Sequence, residues 1–95
     1  MRNYELMYIL QPTLEGEEKS NLIESLHKIL TDNGAKITGV KDWGLRDLAY
    51  PIKKQTKGTY IITTFTGEPI ALKEFDRIVR LNQNVLRFLI TVSEN

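Results

Sequence analysis

The chain has 95 residues, 41% of them apolar, which is enough for one domain with one modest core and too few for two. It contains no cysteine, excluding disulfides, thiolate metal ligands and thiol catalysis, and no run of about 18 apolar residues, excluding a membrane-crossing helix. The formal net charge of +1 hides a division: residues 1–34 carry three basic side chains against six acidic ones, and residues 35–95 carry ten against six.

Residues 3–11 alternate Tyr4, Leu6, Tyr8 and Leu10 with Asn3, Glu5, Met7, Ile9 and Gln11, and Pro12 stops the run. This predicts a strand with apolar residues on both faces. The charge at Glu5 and the lack of a small-residue cleavage site make the segment a poor targeting peptide, so a soluble, intracellular protein is expected. Residues 15–32 set Leu22, Ile23, Leu26, Ile29 and Leu30 at helical spacing. Glu15, Glu17 and Glu18 occupy the first turn, where the helix dipole favours them, and Asn33-Gly34 supplies a left-handed stop. Glu24 and Lys28 are spaced to pair across one turn. His27, the sole histidine, falls beside the apolar stripe, which suits a half-buried or solvated residue better than a catalytic base.

Residues 35–52 predict a long strand whose phase slips near Gly39, because Ile37 and Val40 cannot share a face in strict alternation; a bulge is expected there. Its second half, DWGLRDLAYPIKK (42–54), has apolar residues on both alternating faces with Arg46, Lys53 and Lys54 threaded among them. Residues 53–58, KKQTKG, read as a basic turn, and 58–66 as a strand rich in β-branched and aromatic residues. Pro69 suits the first position of a helix whose stripe is Leu72, Phe75, Ile78 and Val79; Asn82 to Asn84 end it, and 85–92 form the last strand. On that helix Lys73, Arg77 and Arg80 share a face, either as a cationic surface or as an ordinary solvent side diluted by Glu74 and Asp76. Arg87 must project opposite Leu86 and Phe88, to meet a phosphate or to pair with Glu5.

The order strand, helix, strand, strand, helix, strand is the split βαβ repeat of a ferredoxin-like sandwich. The expected α+β architecture is a four-stranded antiparallel sheet with both helices on one face. The other face is then bare, exposing Met7, Ile9, Leu89 and some of Trp43, Leu45, Leu48 and Tyr50. The charge division is read either as solvated surface or as the mark of an anionic partner.

No catalytic, metal or cofactor constellation emerges. The serines have no histidine at a motif-like spacing, and no phosphate-cradling GxxxxGK loop occurs. Acylphosphatase, an enzyme of this architecture, needs a glycine-rich loop with arginine after its first strand, whereas QPTLEGEE is acidic. The RNA-recognition module shares the element order, but of its third-strand signature only Lys57-Gly58 fits, and the stacking aromatics are missing.

Three stretches carry a family likeness: Met1-Arg2-Asn3-Tyr4-Glu5 with Pro12, Asp42 through Ile52 with Lys53, and Arg80-Leu81-Asn82-Gln83-Asn84-Val85-Leu86-Arg87. Over nearly its whole length the sequence resembles the bacterial small-subunit ribosomal protein six family. The resemblance implies a single ferredoxin-like domain over 1–95, with no enzyme activity, cofactor, small-molecule substrate or membrane partner. It implies a place on the platform of a bacterial or organellar small ribosomal subunit, binding small-subunit rRNA as a heterodimer with small-subunit ribosomal protein eighteen. Carried over by position, the RNA contacts are Arg2, Tyr4, Arg46, Tyr50, Lys53, Lys54, Arg80 and Arg87. Asp47 departs from the pattern, where a basic or neutral residue is common, and lowers the local charge. On the residues alone two other readings stay open: a small-molecule-sensing domain that pairs with its own copy, and an acylphosphatase-like enzyme.

Overall fold

Alternation in the first ten residues becomes an interior strand of the sheet, β1 (Arg2–Leu10). The remaining elements of the computed structural model, which describes residues 2–92, are α1 (Gly16–Asp32), β2 (Lys36–Ile52), β3 (Gln55–Gly67), α2 (Pro69–Val79) and β4 (Val85–Val92). Met1, which opens the first family stretch, lies outside the described residues. The strands pair antiparallel in the order β2-β3-β1-β4, the ferredoxin-like arrangement expected.

One set of alternating residues makes the core. Tyr4, Leu6, Tyr8 and Leu10 of β1 stand level with Phe65, Thr63, Ile61 and Thr59 of β3, and pack under Leu22, Leu26 and Leu30 of α1 and Ala71, Phe75 and Val79 of α2. Phe75 meets Phe88 of β4 edge-on at 5.6 Å. Each buried Leu, Ile, Val or Phe among them contributes about 1.5–3 kcal/mol of burial. At the end of α1, Asn33 and Gly34 donate back to Leu30 and Thr31, and Gly34 takes the positive φ of 86° that the stop requires. Lys28 pairs with Asp32 at 3.2 Å rather than with the expected Glu24, the two carboxylates lying one turn to either side of it.

A small polar cluster interrupts this core. His27 Nε2 lies 3.0 Å from Thr63 Oγ1 and 3.3 Å from the Tyr8 hydroxyl. Burial pushes the Tyr8 hydroxyl up to about 12 and pushes His27 below its ordinary value. Asp42, whose charge adds to the rise at Tyr8, pairs with Lys19 at 2.6 Å, and that bond holds the Asp42 carboxyl below its usual range, so it stays ionised through mild acid. A histidine whose folded pKa is depressed stabilises the fold above its unfolded value of about 6.5, and that contribution is lost as pH falls below it. Lowering pH from 7 to 5 is therefore expected to reduce the urea midpoint more steeply in the natural chain than in His27→Gln; equal slopes would show His27 to be uninvolved.

β2 departs from regular pairing three times. The expected slip near Gly39 is a bulge between Ile37 and Gly39, and a second follows at Trp43, where Gly44 takes φ 78° and donates to Asp42 Oδ1 at 2.8 Å. At the third, Asp47 pairs with Lys57 and Ile52 with Gln55, leaving Leu48 to Pro51 opposite Thr56 alone. Pro51 has no N–H for the ladder and restricts Tyr50 before it, so the extra chain loops out.

Two expectations change as a result. The basic turn is not residues 53–58 but Lys53 and Lys54 alone, since Gln55 to Lys57 continue the ladder of β3. The second sheet face is not wholly bare either. The looped-out Leu48–Ile52 segment arches over Met7, Ile9, Tyr60 and Leu89, enclosing a cleft of about 220 Å³. Beneath it Ile9 is only 4% exposed, whereas Trp43, Tyr50 and Leu89 remain about half exposed, as foreseen for the uncovered face; Leu45 is as exposed but stands level with Thr59 and Leu10, on the helix side.

Candidate nucleic-acid interface

The topology brings one end of every strand to a common edge: the end of β2, the start of β3, the end of β1 and the start of β4, with the last turn of α2 beside them. Arg46 is level with Gly58 on β3, and Arg87 is level with Ile9 on β1. They therefore flank the same end of the sheet from its two outer strands, roughly 14 Å apart at about 4.8 Å per strand spacing.

Between them stands the β2–β3 tip. Lys53 and Lys54 adopt φ of 48° and 67°, the left-handed pair that a two-residue hairpin turn demands. Lys53 Nζ donates to the Val85 carbonyl at 3.3 Å, tying the tip to β4. Two residues on, the Arg87 guanidinium donates to the Tyr50 hydroxyl on the arched segment. Of the two roles open to Arg87, the pair with Glu5 does not form, because Glu5 lies level with Thr91 of β4, four residues from Arg87. Lys53, Arg80 and Arg87 line one shallow depression beside Val85 and Phe88, with the Arg80 guanidinium 5.8 Å above the Phe88 ring.

The cations differ in what holds them. On α2, Arg77 is bound by Glu74 at 2.6 Å and Arg80 by Asp76 at 3.0 Å, the dilution that the helix sequence allowed. Arg80 also forms the C-cap of α2, where the helix dipole favours a cation in any protein. Lys57 is near Asp47, at 3.9 Å, so the departure at Asp47 tempers Lys57 and not Arg46. Among the described residues, Arg46, Lys53, Lys54 and Arg87 have no carboxylate partner. Arg46 instead donates to the Trp43 carbonyl at 3.4 Å and lies 5.2 Å over the Trp43 ring, a cation–π contact on the sheet edge. Trp43 lies in the middle family stretch but is not among the RNA contacts that the resemblance implies. Its spacing of three from Arg46 would not bring the two together in a regular strand; the bulge at Gly44 does.

Two of the eight carried-over residues stand apart. Arg2 is exposed and level with Gly67, at the far end of β1. Tyr4 is 4% exposed, with its ring 5.4 Å from Phe65 in the core, so little of it is offered to RNA. The structure thus gathers Arg46, Tyr50, Lys53, Lys54, Arg80 and Arg87 at one end and leaves Arg2 and Tyr4 out. No group of His, Asp or Glu among the described residues is placed to hold a metal ion, and no helix is long and apolar enough to cross a membrane.

The family model for ribosomal protein S6 matches residues 3–92. The small ribosomal subunit protein bS6 of Caldanaerobacter subterraneus is 42% identical over 90 residues, covering 95% of each chain. Its counterpart from Limosilactobacillus reuteri is 46% identical over 90 residues, covering 94% of this chain and 92% of the other. The crystal structure of 30S ribosomal protein S6 from Thermotoga maritima matches with a TM-score of 0.90 at 32% identity, over 97% of this chain and 87% of that one. The C-terminal domain of the MgtC protein from Mycobacterium tuberculosis, with a TM-score of 0.64 at 11% identity, shares the fold alone. The relatives are named as constituents of the ribosome, and the acylphosphatase-like reading falls away with them. A full-length match, a shared fold and the two motif stretches around Arg46 and Arg87 agree: the chain belongs to the ribosomal protein S6 family of the small ribosomal subunit.

Proposed function

We propose that this chain, as one domain over 1–95, is a structural constituent of the small subunit that binds small-subunit rRNA in the platform together with small-subunit ribosomal protein eighteen. It would do so in the cytoplasm of a bacterium or in an organelle with ribosomes of bacterial type. The observation that carries the reading is the set of cations without carboxylate partners at one end of the sheet, Arg46, Lys53, Lys54 and Arg87. Phosphates are the matching ligand: arginine and lysine contacts to them give affinity and position, and carry no base code. The exposed apolar side chains Val40, Trp43, Leu45 and Leu89 support a protein partner beside the RNA. With a net charge of only +1, the isolated chain binds RNA weakly, and sharing the RNA with a second protein raises the effective concentration of each.

Arg46→Ala tests the reading. Arg46 is exposed and has no carboxylate partner among the described residues, so its loss should cost no more than the cation–π contact with Trp43, about 1 kcal/mol or less. RNA affinity should fall, and the slope of log affinity against log salt should shrink by about one. An unfolded variant, or one that binds RNA with the natural salt slope, would make Arg46 structural and remove the site.

A further inference from the structure

Arg87 and Tyr50 come from the two outer strands and are 37 residues apart, yet the guanidinium donates to the hydroxyl. They meet only because the Leu48–Pro51 loop-out carries Tyr50 across the face, above Met7 and Ile9. The same short segment is stitched to β4 a second time, through Lys53 Nζ and the Val85 carbonyl. Tyr50 itself is 56% exposed, so burial does not account for its placement.

The chemistry of the tie distinguishes it from the arginine contacts on α2. Glu74 and Asp76 hold Arg77 and Arg80 by opposite charge, and a phosphate would have to displace or tolerate that charge. A tyrosine hydroxyl holds a guanidinium without cancelling it. It accepts one N–H and keeps its own O–H free to donate, while four of the five guanidinium donors have no partner among the described residues. An arginine on an exposed strand otherwise samples many rotamers, and ordering it on binding lowers affinity.

We propose that Tyr50 is a positioning residue for phosphate recognition, its hydroxyl fixing the Arg87 guanidinium beside Lys53, and that its ring is not a base-stacking platform. The proposal rests on the reading that this end of the sheet binds RNA. Its test is Tyr50→Phe, which keeps the ring and removes the hydroxyl. The probe is deproteinised small-subunit rRNA, with protein eighteen present, titrated between about 50 and 200 mM salt.

Loss of one positioning hydrogen bond should weaken binding about three- to tenfold. Arg87→Ala should weaken it further and cut the salt slope by about one, and adding Tyr50→Phe to Arg87→Ala should then change nothing more. In the free protein, the Arg87 side-chain N–H signal, ordered in the natural chain, should become mobile in Tyr50→Phe while the thermal midpoint holds. A stacking role predicts the reverse: Tyr50→Phe binds normally, and any loss on Tyr50→Leu adds to that of Arg87→Ala. Either result overturns the proposal, as does an Arg87 signal unchanged by Tyr50→Phe. A natural chain that binds rRNA with no salt dependence overturns the underlying RNA reading as well, so the two failures are told apart.

Discussion

Replacing Gly58 with alanine is expected to lower stability by about 2 kcal/mol, on the order of 10 °C in Tm, although it adds a single methyl group. Gly58 lies in β3 with an ordinary φ, so backbone strain is not the reason. A Cβ there would overlap Ile9 Cγ2 and lie 3.3 Å from the Leu10 carbonyl and 3.5 Å from Leu86 Cδ1. Ile9 cannot easily give way: it is β-branched, 4% exposed, and roofed by the arched segment of β2. The Leu10 carbonyl is main chain in the central pairing and cannot turn aside. Gly39→Ala provides the contrast, since its Cβ would meet only the Thr64 hydroxyl, at 2.9 Å, and that half-buried hydroxyl can move aside at the cost of its weak bonds to Thr38 and the Gly39 carbonyl. Urea denaturation of the two variants should show the larger loss at Gly58; equal losses would mean that Ile9 relaxes freely. Gly58 is thus needed for packing, which explains why Lys57-Gly58 imitates the start of an RNA-recognition signature that the rest of the strand does not continue.

The periodic parts of this fold were legible because each reports its own surroundings. The alternation of Tyr4, Leu6, Tyr8 and Leu10 and the stripes of α1 and α2 are local patterns with local meaning, and their residues form the core. Even the slip at Gly39 could be found, since Ile37 and Val40 violate alternation within four residues. The arch of Leu48–Ile52 could not. Pro51 announces an interruption in pairing, but where the freed chain goes depends on β1 and β4, which are remote in sequence. That one event explains why Ile9 is buried, why Arg87 meets Tyr50 instead of Glu5, and why the turn shrinks to two residues. For the site, the residue types were legible and their grouping was not. Arg46, Lys53 and Arg87 converge through sheet order, whereas Tyr4 matches a family motif but is claimed by the core. A motif preserves identity at a position, and does not say which of the residue's faces is used.

Exchanging Lys53-Lys54 for Asn-Gly is expected to change stability and binding in opposite directions. Both lysines occupy the left-handed region, with φ of 48° and 67°, in a two-residue connection between the paired Ile52 and Gln55. Such a turn favours Asn-Gly, and an ordinary side chain in that region costs about 1–2 kcal/mol. Two relieved residues at about 1–2 kcal/mol each, less the lost Lys53 bond to the Val85 carbonyl at about 0.5–1 kcal/mol, leave a net gain of about 1–3.5 kcal/mol in unfolding free energy. Binding to small-subunit rRNA should weaken over all salt concentrations, and the log–log salt slope should shrink by about two, one for each lost phosphate contact. The signs separate two accounts of the tip. If it were only a connection between β2 and β3, the exchange would stabilise the chain and leave RNA affinity alone, and the strained lysines would have no function. If the tip delivers charge to phosphate, the strain is held in place by the neighbouring ties of Lys53 to Val85 and Tyr50 to Arg87, and removing it should yield a sturdier protein that holds RNA less well.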